Sequence, residues 1–231
     1  MLDQAFEALK TYDWGQDRNL VEPIREAVVA SADNADERKA LETRLADVLK
    51  TDVSYDSKQF VCRELMIIGT AASVPTLAAL LTDEKMAHVA RYALERVTAP
   101  EAAKALRDAL GTTKGELKIG VIASLGVRGE AESVAPIAAL LGDSDAAIVR
   151  SAAIALGAIR SSAAAKALAG AKPTAETQTA ISDALLACAE ALLADGNKAE
   201  ALTIYKGLLS GDKPKQVKLA ASRGLLACAG K

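Results

Sequence analysis

A pattern that returns about every 30 residues is the strongest constraint on this chain, because self-similarity at such a period marks architectures built by stacking one small unit on the next. The segment Leu65 to Gly69, followed by Ser73, Val74, Leu77, Ala78, Ala79, Leu80 and Leu81, returns as Leu125, Gly129, Ser133, Val134, Ile137, Ala138, Ala139, Leu140 and Leu141. Asp83 and Asp143 keep the same offset. Between these copies the run from Glu101 to Leu106 is echoed from Ala163 to Leu168, so the 60-residue step from Leu65 to Leu125 divides into two units. A second ladder, Val61, Val89, Ile119 and Val149, advances by 28, 30 and 30 residues and is expected to mark the start of the other helix of each unit. Thirty residues hold two helices of about three turns each and two short turns, so one unit is one helical hairpin.

The composition suits helices that approach closely. Apolar residues make up 51% of the 231 residues and aromatic ones only 3%, so Ala, Leu, Val and Ile must fill the interior. Gly69, Gly111, Gly129, Gly142 and Gly157 fall where helices are expected to end, and Thr82, Asp83, Asp143, Ser144 and Asp145 where they begin. Pro75, Pro100 and Pro136 fit first helical turns, where a missing N–H costs little. The expected fold is all-α, a right-handed stack of helical hairpins forming an α-solenoid.

The ends depart from the 30-residue scheme. Residues 1–57 read as helices over roughly Leu2–Thr11, Leu20–Ser31 and Ala35–Leu49, and are expected to cap the stack. Four helix pairs then occupy 58–177. In 178–231 the period lengthens, since Leu185 to Ala189 returns 40 residues later as Leu225 to Ala229, with a turn and an amphipathic helix from Asp195 to Tyr205 between them. A longer hairpin and a final helix, Val217 to Ala229, are expected there. That last helix ends apolar without a polar capping repeat, which points to a contact or a continuation of the chain at this end.

The phrases Val89 to Glu95, Ser124 to Arg128 and Asp143 to Gly157 resemble bacterial HEAT-like repeats of the phycobilisome-lyase type, over about residues 58–229. The resemblance implies the solenoid fold, a module that often belongs to a larger protein, and Val-Arg helices lining a concave face. The Val-Arg pair is complete at Val149-Arg150, shifted at Val89 and Arg91, and degenerate at Ile119-Gly120. It also brings in an alternative to a non-catalytic protein-binding scaffold, since members with bilin lyase or DNA-alkylation glycosylase activity exist.

The residues themselves favour the scaffold. A formal charge of −2 gives no cationic excess for neutralising phosphates, and four Tyr, two Phe and one Trp are few for holding a damaged base, so nucleic acid is disfavoured as a partner. No Walker loop, dinucleotide fingerprint, zinc-type cysteine spacing or His-Glu-x-x-His motif occurs, and no metal or cofactor is expected. The segment 126–129 reads as a turn. His88, the single histidine, reads as a surface or capping residue. A nucleophile pair with Cys62, 26 residues earlier, would lack an orienting third group. Cys62, Cys188 and Cys228 read as buried reduced thiols.

Another protein or peptide is the expected partner. Arg63, Arg91, Lys118, Arg150 and Lys218 fall near the starts of successive helices, where they form a cationic strip for an acidic peptide or pair internally with Asp83, Asp143 and Asp145. Trp14, in a polar turn, reads either as a partner contact or as a staple between the first two helices. No signal peptide or membrane span is visible, and the chain as given is expected in the cytoplasm, although the same residues would suit a piece of a longer exported protein.

Overall fold

The computed structural model describes residues 1–210 and 213–230. Gly211, Asp212 and Lys231, which fall in the expected 178–231 segment, lie outside the described residues. Every regular element among the described residues is helical. The chain forms two compact units, Met1–Val121 and Ile122–Lys231.

The first unit contains α1 (Leu2–Ala8), α2 (Glu22–Ala30), α3 (Ala35–Leu49), α4 (Tyr55–Ile68), α5 (Val74–Ala79), α6 (Ala87–Arg96), α7 (Pro100–Thr112) and the start of α8 (Gly115–Arg128). Side-chain caps begin the two long helices: Asn34 accepts the Glu37 N–H at 3.2 Å, and Ser54 accepts the Ser57 N–H at 3.0 Å. Helix α2 packs on α4 and α4 on α6, while α3 packs on α5 and α5 on α7. These are two layers of a hairpin stack, joined by contacts such as α3 with α4 and α5 with α6. The layers close on small and branched side chains, among them Ala90, Ala93, Leu94, Ala102 and Leu106, all fully buried. Each buried leucine supplies about 1.5–3 kcal/mol, with few aromatic rings to fill.

The second unit contains the rest of α8, then α9 (Val134–Ala139), α10 (Ala146–Ile159), α11 (Ser162–Ala169), α12 (Gln178–Ala194), α13 (Lys198–Leu209) and α14 (Lys215–Cys228). Helices α10, α12 and α14 form one layer, and α9, α11 and α13 the other. Asp145 accepts the Ala147 N–H at 2.8 Å and Ser161 the Ala164 N–H at 3.1 Å, which starts α10 and α11. Helix α12 ends in a turn at Gly196, whose φ of +84° suits glycine.

Several local expectations change. Helix α1 stops at Ala8 rather than Thr11, because the Lys10 and Thr11 N–H groups bond to the Glu7 and Ala8 carbonyls three residues back, a tighter turn, and the Leu9 carbonyl accepts from the Ser57 hydroxyl at 2.6 Å. Val61 lies in the middle of α4, since the Ser54 cap starts that helix six residues earlier than the ladder implied. Residues 126–128 are helical, and the turn begins only at Gly129, with φ +72°. Gly157 is buried inside α10 and ends nothing.

Candidate functional site

The first unit carries a cleft of about 430 Å³. One wall is a stripe on α4, Asp56, Gln59, Phe60 and Arg63, whose spacing of three, one and three places all four on one helix face. Val21, Glu22 and Arg25, at the start of α2, line it as well, and the segment from Tyr12 to Gln16 with Arg18 completes it. Three arginines and three carboxylates balance across the lining.

The turn beside the cleft is built by its own residues and tied to α4. Asp13 accepts the Trp14 N–H at 2.9 Å, Gln16 donates its N–H to the Asp13 carbonyl at 3.1 Å, and Gly15 takes φ +81°. The Tyr12 carbonyl accepts from the hydroxyls of both Ser54 and Ser57, the latter at 3.0 Å, so the first turn of α4 fixes where the segment sits. As a result Trp14 stands 88% exposed, and its reading as a staple between helices is corrected. A tight four-residue turn projects the ring outward.

Arg25 is held rather than free. Its Nε and Nη2 donate to Glu64 Oε1 at 3.1 and 2.9 Å, and the guanidinium lies 6.0 Å from the centroid of Phe60. The Glu64 side chain is fully buried, and its Oε2 has no hydrogen-bond partner. The hydrogen bond and charge of Glu64 raise the Arg25 pKa above its ordinary value. This ion pair joins α2 to α4 behind the cleft.

The structure thus brings Trp14 and Arg63 to one cleft. Arg91 has another role: its Nη1 donates to the Gly120 carbonyl at 2.8 Å, and a Cβ on Gly120 would lie 2.5 Å from Arg91 Cζ. The guanidinium occupies the space that a side chain at 120 would take. Burial lowers its pKa, while Glu95 and Tyr92 act the other way. Lys118 and Lys218 are half-buried on α8 and α14. Arg150 lines a shallow groove of the second unit between α10 and α12, beside the exposed Ile154, Arg160 and Asp183. The aspartates expected to pair with these cations instead accept backbone N–H groups: Asp83 from Lys85 and Met86 at 2.8 and 3.0 Å, Asp143 from Asp145 at 2.9 Å, and Asp145 from Ala147 at 2.8 Å.

His88 is exposed and packs its ring on Tyr92, with centroids 4.5 Å apart. Cys62 is buried, and burial pushes its thiol up from an ordinary 9.0 to about 12, against a smaller lowering by Lys58. A nucleophilic thiol needs the opposite shift, so the environment of Cys62 works against a cysteine nucleophile at neutral pH. Cys188 is buried too, raised to about 11 by burial, with Arg160 opposing. Cys228 is half-buried, which corrects the expectation for that residue. A thiol-specific disulfide reagent should therefore label Cys228 alone in the folded chain, and Cys228→Ser should abolish that fast phase. A second fast-reacting thiol would contradict the burial of Cys62 and Cys188.

Sequence reasoning missed Tyr12, Arg18, Arg25, Gln59 and Phe60. Their signal was the stripe from Asp56 to Arg63, which becomes readable once 55–68 is taken as one helix. Among the described residues, no group of three or more His, Cys, Asp or Glu side chains is placed to hold a metal ion, and no helix is long and apolar enough to cross a membrane.

Residues 103–189 match the family model for HEAT repeats. No curated protein sequence matches the chain significantly. Among solved structures, an engineered protein is similar over 99% of this chain and 68% of its own, with 21% identity and a TM-score of 0.46. A second engineered protein is similar over 90% of this chain and 97% of its own, with 20% identity and a TM-score of 0.44. Human deoxyhypusine hydroxylase in complex with glycerol is similar over 100% of this chain and 96% of its own, with 14% identity and a TM-score of 0.38.

Proposed function

We propose that this chain, whose residues 103–189 match the family model for HEAT repeats, is a non-catalytic binding module for another protein, and that the cleft beside Trp14 is its anchor site. The observation that carries this reading is the joining of Trp14, 88% exposed on a braced turn, with Arg63 and Phe60 of α4 in one cleft. Tryptophan, tyrosine and arginine are the residues that most often carry interface energy, and a ring presented on a braced turn meets a partner without ordering of the backbone that carries it. The lining, with three arginines against three carboxylates, presents no cationic surface for a nucleic-acid duplex.

A photo-crosslinking amino acid in place of Trp14 tests the reading, with the same residue in place of Val29, 64% exposed on α2, as control. In lysate from the source cell, position 14 should give a discrete adduct and position 29 should not. Equal labelling at the two positions would remove the cleft from the account. Unbound, the single tryptophan should emit as a water-exposed indole and be quenched freely by iodide. A blue-shifted, protected emission would contradict the exposed turn.

A further inference from the structure

Aromatic side chains are scarce here, seven in the whole chain, yet three of them, Tyr12, Trp14 and Phe60, line this one cleft. A fourth, Tyr55, accepts from the Gln59 amide at 3.1 Å just beside it. Rings would fill a core efficiently, yet only Phe6 and Tyr205 are buried. One exposed and two half-buried rings gathered in a cleft are the feature of this surface that its own fold does not require.

The geometry of the walls restricts the occupant. A helix laid in a groove needs an apolar floor for its apolar face, and this lining sets three arginines and three carboxylates among its rings. An added β-strand needs a row of free backbone donors and acceptors, and helix walls offer none. A polyproline II segment needs neither. Its three-residue turn is about 9.3 Å long. The stripe from Asp56 to Arg63 spans seven helical steps, about 10.5 Å, so it accommodates one such turn.

The chemistry of the lining points the same way. Prolines present flat apolar rings and leave carbonyls that accept hydrogen bonds without donating any. The cleft offers rings to stack on and unused donors. Among the described residues, the Trp14 indole N–H, the Tyr12 hydroxyl, the Gln16 side-chain NH₂ and the Arg18 and Arg63 guanidiniums make no hydrogen bond within the chain. The Gln16 carbonyl oxygen already accepts the Asp13 N–H, at 3.3 Å, which leaves its NH₂ for a ligand. Balanced charge gives no strong selection for an acidic or a basic peptide.

We infer that the Trp14 cleft binds one turn of a proline-rich, polyproline II segment of the partner, its rings stacked on Tyr12, Trp14 and Phe60 and its carbonyls bonded by Gln16, Arg18 and Arg63. The inference rests on the protein-binding reading above and narrows it to a class of ligand.

Fluorescein-labelled decaproline, titrated against the full chain and followed by anisotropy, tests it beside length-matched Gly-Ser and Asp-Leu repeat peptides. Decaproline should bind, Gly-Ser should not, and Trp14→Ala should weaken decaproline binding at least about tenfold. Trp14 is exposed, so circular dichroism of that variant should match the parent. Decaproline affinity should also be nearly unchanged between about 50 mM and 500 mM salt. Tighter, salt-sensitive binding of Asp-Leu would overturn the polyproline assignment and leave the cleft as a binding site. Failure of decaproline to bind overturns the assignment too, and the crosslinking result at position 14 then decides separately whether the protein-binding reading survives.

Discussion

Glu42→Ala should destabilise the chain by about 3 kcal/mol, a large loss for a residue outside the repeat pattern. The side chain leaves α3 and is buried to 2% exposure. Its Oε1 accepts the Thr70 N–H at 2.6 Å and the Ser73 N–H at 3.1 Å, and the Thr70 hydroxyl lies 3.0 and 2.9 Å from its two oxygens. Ser73 precedes α5 and makes no side-chain cap of its own, so a carboxylate from another helix satisfies the donors at this turn. Alanine would leave the Thr70 N–H without its acceptor and the Ser73 N–H with only the Thr70 carbonyl at 3.2 Å, and would open space around them. Each buried unsatisfied donor costs about 1–3 kcal/mol, and hydrogen bonds to a charged acceptor are stronger than neutral ones. Glu42→Gln keeps one oxygen and the shape, and should lose about half as much. Urea unfolding gives the size of the effect, and faster hydrogen exchange at Thr70 and Ser73 gives its place. A loss under about 1 kcal/mol, with unchanged exchange at those amides, would show that water replaces the carboxylate.

Nothing in the 30-residue pattern announced Glu42, and the reason is physical. A repeat is legible where every unit solves the same packing problem in the same way. The ladder Val61, Val89, Ile119 and Val149 puts one residue in each of α4, α6, α8 and α10, because each of those helices turns an apolar stripe inward. Asp83 and Asp145 were legible as helix starts because a short carboxylate beside free N–H groups acts locally. The turn after α4 and its counterpart after α8 are closed differently. The first takes Glu42 from α3, and in the second Arg128 bonds to Glu130 through Nε at 3.1 Å and Nη2 at 2.6 Å. A carboxylate drawn from 28 residues away, as Glu42 is for Thr70, leaves no trace in a period.

The candidate site was legible in part for the same reason. Trp14 stood out by rarity and by its polar turn, and Arg63 by its place on a helix. That they share a cleft depends on Ser54 and Ser57 fastening the turn to α4, contacts between residues 42 to 48 positions apart. Arg91 looked like one step of a cationic strip. The degenerate Ile119-Gly120 step of the Val-Arg pattern held the clue to its other role, since a residue without a side chain leaves room for a neighbour's guanidinium.

Gly157→Val should cost about 3 kcal/mol and loosen the second unit, whereas Gly207→Ala, in the same unit, should gain about 0.5 kcal/mol. Both glycines are helical, so propensity alone would make either substitution favourable. Space decides otherwise. A Cβ at 207 would meet nothing within 4 Å, while one at 157 would lie 2.8 Å from both the Cα and the Cβ of Ala184 in α12. Neither atom can rotate away, so a helix must move. Gly126 meets Ala155 of α10 in the same manner, also at 2.8 Å from its Cα. Pairing a glycine with an alanine on the next helix of the layer lets α8, α10 and α12 approach at the short end of the range for packed helices. A branched side chain is the harshest insertion, because Val keeps essentially one helical rotamer and cannot fold its methyls aside. Gly157→Ala should fall between, with the steric cost outweighing the propensity gain by about 1 kcal/mol. Gly157 also lines the groove that holds Arg150 and Ile154, so the same substitution should alter exchange on the facing turns of α12 before it alters helix content. Equal urea midpoints for Gly157→Val and the parent would mean that the layer yields without cost, and that close approach does not hold these helices together.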